Sequence, residues 1–126
     1  MGIMSSITGN AGPLDLGQAN QEYGRLLAQG EQIQAAFQFV RDALLFTNTR
    51  LINIDKQGVT GRKVEYASIP YKSISHFAVE TSGHFDLDAE LRVYIGSAAI
   101  PKSFEFNKQV DVYQVQAILS AFVTGH

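Results

Sequence analysis

His84, Asp86 and Asp88 are the residues whose types and spacing could most readily do chemistry. Two residues apart on an extended segment, they leave one strand face and offer an imidazole and two carboxylates to a divalent ion. Glu90 and Arg92 continue the same parity, and a solvated strand face has that composition with no ion at all. A metal also needs ligands from more than one side, which a single strand does not supply. The run His84, Asp86, Asp88, Glu90 and Arg92 therefore reads as a candidate interaction surface, and no metal is assigned. Ser82, His84 and Asp86 have the composition of a hydrolase triad. A working triad sets His between nucleophile and acid beside an oxyanion hole, assembled from separate elements rather than from one extended run. No phosphate-cradling glycine loop, dinucleotide fingerprint or zinc-protease helix motif occurs. With zero Cys, disulfides and thiolate sites are excluded. The reading is of a protein that binds rather than catalyses, with no cofactor.

Two further surfaces have a defined chemistry. Arg50, Lys56, Arg62 and Lys63 form the richest basic neighbourhood and make a candidate anion patch. They support an alternative function, an anionic-lipid or phosphate-binding module. Such a scatter is also ordinary solvated surface, so membrane lipid is not among the expected partners. Ten Lys and Arg against twelve Asp and Glu leave a net charge of −2, too little cationic field to grip nucleic acid. Gln32, Gln34, Ala36 and Gln38 form a strand face almost free of charge, and Leu45 sits in a run apolar on both faces. Depletion of charge is what an interface core requires, so these five residues are a candidate oligomer interface. Coverage of the same surfaces by the first helix of the chain is the other reading.

The elements that must position these residues follow from periodicity. Asp15 caps a helix over 15–29 with Gln18 at the third position, and Gly30 stops it. From Glu31 the period changes to two, with Ile33, Ala35, Phe37 and Phe39 on one face. Further strands follow over Ala43–Phe46, Leu51–Asp55, Val59–Ile69, Ile74–Thr81, His84–Ile95 and Ile100–Asn107, with Gly61 marking a bulge or bend. A second helix over 111–124 is capped by Asp111, with Val112, Val115, Ile118, Leu119 and Phe122 on its apolar face. At 126 residues and 45% hydrophobic, the chain is one domain, over 15–126, with its barrel over 31–108 and residues 1–14 as a flexible leader. The fold class is mainly β, of the α+β type: seven antiparallel strands in a small barrel, one end closed by the second helix. No signal peptide is evident, and no apolar window reaches the ~18 residues of a membrane span. The expected address is the cytoplasm.

Four blocks in order carry a family resemblance: Arg41-Asp42-Ala43-Leu44-Leu45-Phe46-Thr47-Asn48-Thr49-Arg50-Leu51-Ile52, Asp55 to Tyr66, Ile69-Pro70-Tyr71-Lys72-Ser73-Ile74, and Glu80 to Leu91. Over Gln29 to Val123 the chain resembles the bacterial pleckstrin-homology-like (PH-like) family. The resemblance implies a PH-like barrel without catalytic residues or cofactor. It also implies a cyclic homo-oligomer, pentameric because the longer C-terminal helical hairpin of some relatives is absent. Polar surfaces at the protomer junctions would then engage an unidentified protein partner.

Overall fold

The computed structural model describes residues 10–81 and 88–124 of the chain. Strands β1 (Gly12–Pro13), β2 (Ile33–Gln38), β3 (Ala43–Thr47), β4 (Arg50–Gln57) and β5 (Lys63–Pro70) form an antiparallel sheet in chain order. A second antiparallel sheet contains β6 (Ile74–Thr81), β7 (Ala89–Ile95) and β8 (Lys102–Phe106). Helix α1 (Leu16–Tyr23) runs on into a tight turn over Gly24–Leu26, and α2 (Val112–Leu119) widens into a π turn over Ser120–Thr124. Both caps form as the sequence predicts: Asp15 accepts from the Gln18 amide and Asp111 from the Tyr113 amide, each at 3.1 Å.

The space between the sheets is filled by inward residues of both, chiefly Phe37, Leu44, Phe46, Leu91, Val93, Phe104 and Phe106, and is closed at one end by Val115 and Leu119 of α2. Phe37 meets Phe46 edge-on at 5.6 Å and lies 5.0 Å from Phe106, so it joins the two sheets. A second core lies on the outer face of the five-stranded sheet, where Ala19 and Tyr23 of α1 cover Ile33, Ala36, Ala43, Leu45, Ile52 and Ile54. Strand β3 is buried on both faces for this reason. Ala36 and Leu45, expected at an oligomer interface, are 4% and 0% exposed within the single chain, because α1 of the same chain occupies the position another subunit was expected to take.

Three local differences from the sequence reading have physical causes. The register shifts between Ile33 and Ala35, and this bulge reverses the side-chain parity. Ile33 therefore joins Ala36 under α1, while Ala35, Phe37 and Phe39 face the inter-sheet core. Strand β5 starts at Lys63 rather than Val59, since Gly58 and Gly61 turn the chain at φ +79 and +70. Residues 10–14, assigned to the leader, are built into the domain. Ala11 is fully buried, donates its N–H to the Glu105 carbonyl and accepts from the Asn107 amide, both at 2.8 Å. Gly12 and Pro13 then pair with Gln38 and Phe37, so this segment sews β8 to β2. Two paired residues, one of them proline, leave no period for a sequence reading to detect.

At the end of the barrel remote from α1's cap, Glu31 holds four chain segments together. Its side chain is 2% exposed and takes Arg50 Nε at 2.8 Å. It also accepts from Arg50 Nη2 at 3.0 Å, Thr47 Oγ1 at 2.6 Å, Thr49 Oγ1 at 2.9 Å and the Ala28 amide at 2.9 Å. Arg50 in turn donates to the Leu26 carbonyl at 2.8 Å and to Ser68 Oγ at 2.7 Å. Its guanidinium is the main reason the Glu31 carboxyl is pushed down to about 2, against desolvation that acts the other way. A carboxyl depressed in the folded state stabilises the fold above its unfolded pKa of about 4.3. That contribution falls away as the pH drops from there through about 2. Glu31→Gln is expected to cost about 3 kcal/mol in urea unfolding at neutral pH, because it leaves Arg50 without its charge partner. The variant should also lose most of the fall in stability that the wild type shows between about pH 5 and pH 2. Removing residues 1–29 should uncover the second core and produce an aggregating or molten chain, seen as dye binding and lost near-ultraviolet dichroism.

Candidate functional site: the outer face of the second sheet

Alternation places Phe77 and Val79 of β6 and Leu91 and Val93 of β7 toward the core, which turns the residues between them outward. The outward set is paired across the strands: His76 with Tyr94, Ala78 with Arg92, and Glu80 with Glu90. Strand β8 extends it with Ser103 beside Arg92 and Glu105 beside Glu90. Glu80 and Glu90 stand directly opposite each other, an arrangement that repels unless a cation is shared. Arg92 supplies it, donating from Nη1 to Glu80 at 2.8 Å and to Glu90 at 2.7 Å. Those hydrogen bonds raise the guanidinium pKa still further above its ordinary value.

One end of the face is aromatic. The rings of His76 and Tyr94 stack with centroids 4.0 Å apart and planes 12° from parallel. Ser75 Oγ donates to the Tyr94 carbonyl at 3.1 Å beside them. The other end is acidic. Glu80, Thr81, Asp88, Ala89, Glu90 and Glu105 line a shallow cavity of about 240 Å³, and Asp88 is held by Asn10 Nδ2 at 2.8 Å. Such a surface can pair charge, stack and donate or accept hydrogen bonds. Among the described residues no group of three His, Asp or Glu side chains is placed to hold a metal ion.

Of the interaction surface read from the sequence, Glu90 and Arg92 are brought together on this face, and Asp88 lies exposed at its acidic end. His84, Asp86 and Ser82 lie outside the described residues. The sequence reading missed the partners from neighbouring strands, His76, Glu80, Tyr94 and Glu105, because register between strands decides them.

The candidate anion patch is not brought together. Arg50 is engaged by Glu31 at the opposite end of the β4–β5 hairpin from Lys63. The seven residue steps from Arg50 to Gln57, whose partner is Lys63, span roughly 24 Å of extended strand. Lys56 Nζ lies 3.7 Å from Glu22 Oε2 of α1. Only Arg62 and Lys63 of the four stay exposed side by side. Gln32 is exposed and Gln34 half-buried, while Gln38 Nε2 donates to the Phe39 and Asp42 carbonyls at 3.0 and 3.1 Å and is occupied in closing the β2–β3 turn.

Two sheets packed face to face, with one end closed by a C-terminal helix, define a PH-like domain. The bacterial PH domain family model matches residues 2–123, and the chain belongs to that family. The chain is 46% identical, with a TM-score of 0.82, to a DUF1696 family protein with a pleckstrin-homology domain from Shewanella loihica PV-4, over 92% of this chain and 99% of that one. A pleckstrin homology domain from Shewanella amazonensis SB2B is 47% identical, with a TM-score of 0.71, over 93% and 94% of the two chains. Bacillus subtilis (strain 168) YjqA, itself uncharacterised, is 48% identical over 96% of this chain and 98% of its own length. No helix of the described residues is long and apolar enough to cross a membrane.

If Arg92 neutralises two facing carboxylates, Arg92→Gln should lower the melting temperature at low ionic strength. Raising the salt should close most of the gap to wild type, since the repulsion left behind is between exposed groups. Melting curves at two salt concentrations check this, and a deficit independent of salt would contradict it.

Proposed function

We propose that the chain is a non-enzymatic cytoplasmic scaffold domain that closes into a cyclic homo-oligomer, a pentamer, and offers the outer face of its second sheet to a protein partner. The observation that carries the ring is the pair of open strand edges. The Ala11 segment closes the side of the barrel between β2 and β8. On the other side β5 ends one sheet and β6 ends the other, and among the described residues neither has a second partner strand. Strand β5 is exposed on both faces over much of its length, and the inward side chains Phe77 and Val79 of β6 are half-exposed. Unpaired edges invite pairing with another chain. Because the two edges are unlike, the contact is head-to-tail, and such a contact closes into a ring when its rotation allows. Each junction would set the polar strand faces of adjacent copies side by side. Repetition around the ring then raises avidity for a partner without any new contact.

Light scattering on a sizing column tests the assembly. The expected mass is about five times the 13.8 kDa of one chain, unchanged on dilution. A monomer throughout the concentration range would overturn the ring. Glu65→Pro and Tyr66→Pro on β5 make the test specific, because successive strand amides point to opposite neighbours and one of the two faces outward. That variant should keep its far-ultraviolet dichroism and fall to a smaller mass. The other breaks the ladder to β4 and should lose stability instead.

A further inference from the structure

The outer face of the second sheet is ordered in rows, because register sets the outward side chains of neighbouring strands about 4.8 Å apart. Glu80, Glu90 and Glu105 form one row, Ala78, Arg92 and Ser103 the next, and His76 with Tyr94 the third. Arg92 serves the first two glutamates. Among the described residues no cation is paired with Glu105, although it stands directly opposite Glu90. Lys102 of β8 pairs with the inward-facing Val93 and so lies on the other parity. With Asp88 at the end of the glutamate row, four carboxylates against one guanidinium leave −3 on this face, more negative than the −2 of the whole chain. Like charges directly opposite each other destabilise a sheet. A neutral residue at position 105 would serve the fold better, so the third glutamate is explained by what the face meets rather than by what holds it together.

We infer that this face takes an extended cationic segment of the partner protein, with an arginine or lysine seated among Glu80, Asp88, Glu90 and Glu105 and an aromatic ring laid on the His76–Tyr94 stack. The inference rests on the reading above that the face meets a protein partner, and it names that partner's chemistry. From Glu90 to Tyr94 is four residue steps, about 13 Å of strand, and positions i and i+4 of an extended peptide put two side chains on one side at the same spacing. Ala78 and Ser103 flank Arg92 with small side chains, so the middle row leaves room for a peptide backbone to cross. The acidic cavity offers charge-assisted hydrogen bonds to a guanidinium or ammonium group. The stacked rings, His76 exposed and Tyr94 half-buried, are already arranged to receive a third. A lone metal ion would leave the aromatic end unused, and among the described residues no three carboxylate or imidazole groups converge on one.

Selection from a random linear peptide library displayed on phage, with the full chain as bait, tests it. The enriched peptides are expected to carry arginine or lysine four positions from phenylalanine, tyrosine or tryptophan, and to bind more weakly as salt rises. With one such peptide labelled and its binding read by fluorescence anisotropy, Glu105→Gln should weaken binding about threefold and Tyr94→Ala about fivefold. Glu105→Gln should nevertheless melt no lower than wild type, which separates a recognition role from a structural one. A lower melting temperature would overturn the inference, since the carboxylate would then belong to the fold. Enriched peptides that carry no cation yet lose affinity for Tyr94→Ala would also overturn it, while leaving the face as the docking surface. Peptides indifferent to both substitutions, or no enrichment, would remove the face as well. The solution mass reports on the ring separately from all of these.

Discussion

The carboxylate of Glu31 is the constraint on which the arrangement of the domain depends. It enters β2 from the segment that follows α1, so its position fixes where the helix ends and the sheet begins. Its ligands come from the α1–β2 connection, the β3–β4 turn and the head of β4, and Arg50 extends the set to β5 through Ser68. A buried carboxylate is costly to dehydrate unless its lone pairs are filled, and five donors fill these. Tyr71 is tied to the same corner. Its hydroxyl donates to the Thr47 carbonyl at 2.6 Å and its ring stacks on Phe122 at 5.1 Å. The helix that closes the barrel is thereby registered against the turn that Glu31 organises.

The candidate binding face lies away from that corner. The outer face of the second sheet is ordered by Arg92 between two carboxylates rather than by burial, and its aromatic end rests on a single stacked pair. At the opposite corner the β2–β3 and β4–β5 turns are clasped by Arg41, whose Nη2 donates to the Gly58 carbonyl at 2.6 Å. Each surface uses strand or turn backbone held by the two cores, so its exposed polar and charged groups stay in water at little cost to stability.

Much of this architecture was legible from period alone. Alternation in β2 and β7, the stripe of Val112, Val115 and Leu119, and both aspartate caps gave the strands and helices nearly in place. What period could not give was pairing. The bulge beside Ile33 moved one side chain to the other face, and a segment as short as Gly12–Pro13 gave no pattern to read. Arg50 shows the same limit for the site. As a residue type it looked like an anion ligand, yet its partner Glu31 lies 19 positions away and only the fold brings them together. Leu45 sits in a run apolar on both faces, which predicts burial on two sides, but only the fold shows that α1 is the element that covers it. The surface face was half legible, Glu90 and Arg92 from their parity and Glu80 and Tyr94 only from strand register.

The seam at Ala11 has a consequence for how the chain is made. Its partners, Glu105 and Asn107, are synthesised more than 90 residues later, so the segment that pairs with β2 through Gly12 and Pro13 emerges from the ribosome long before its second neighbour exists. Contacts of such separation form late and hold a nascent chain open. During that interval the edge of the Ala11 segment is unpaired, and Phe37 lacks the cover of Phe106. Burden on the folding machinery should therefore concentrate on one brief stage of translation, ending when β8 leaves the exit tunnel and the barrel can close.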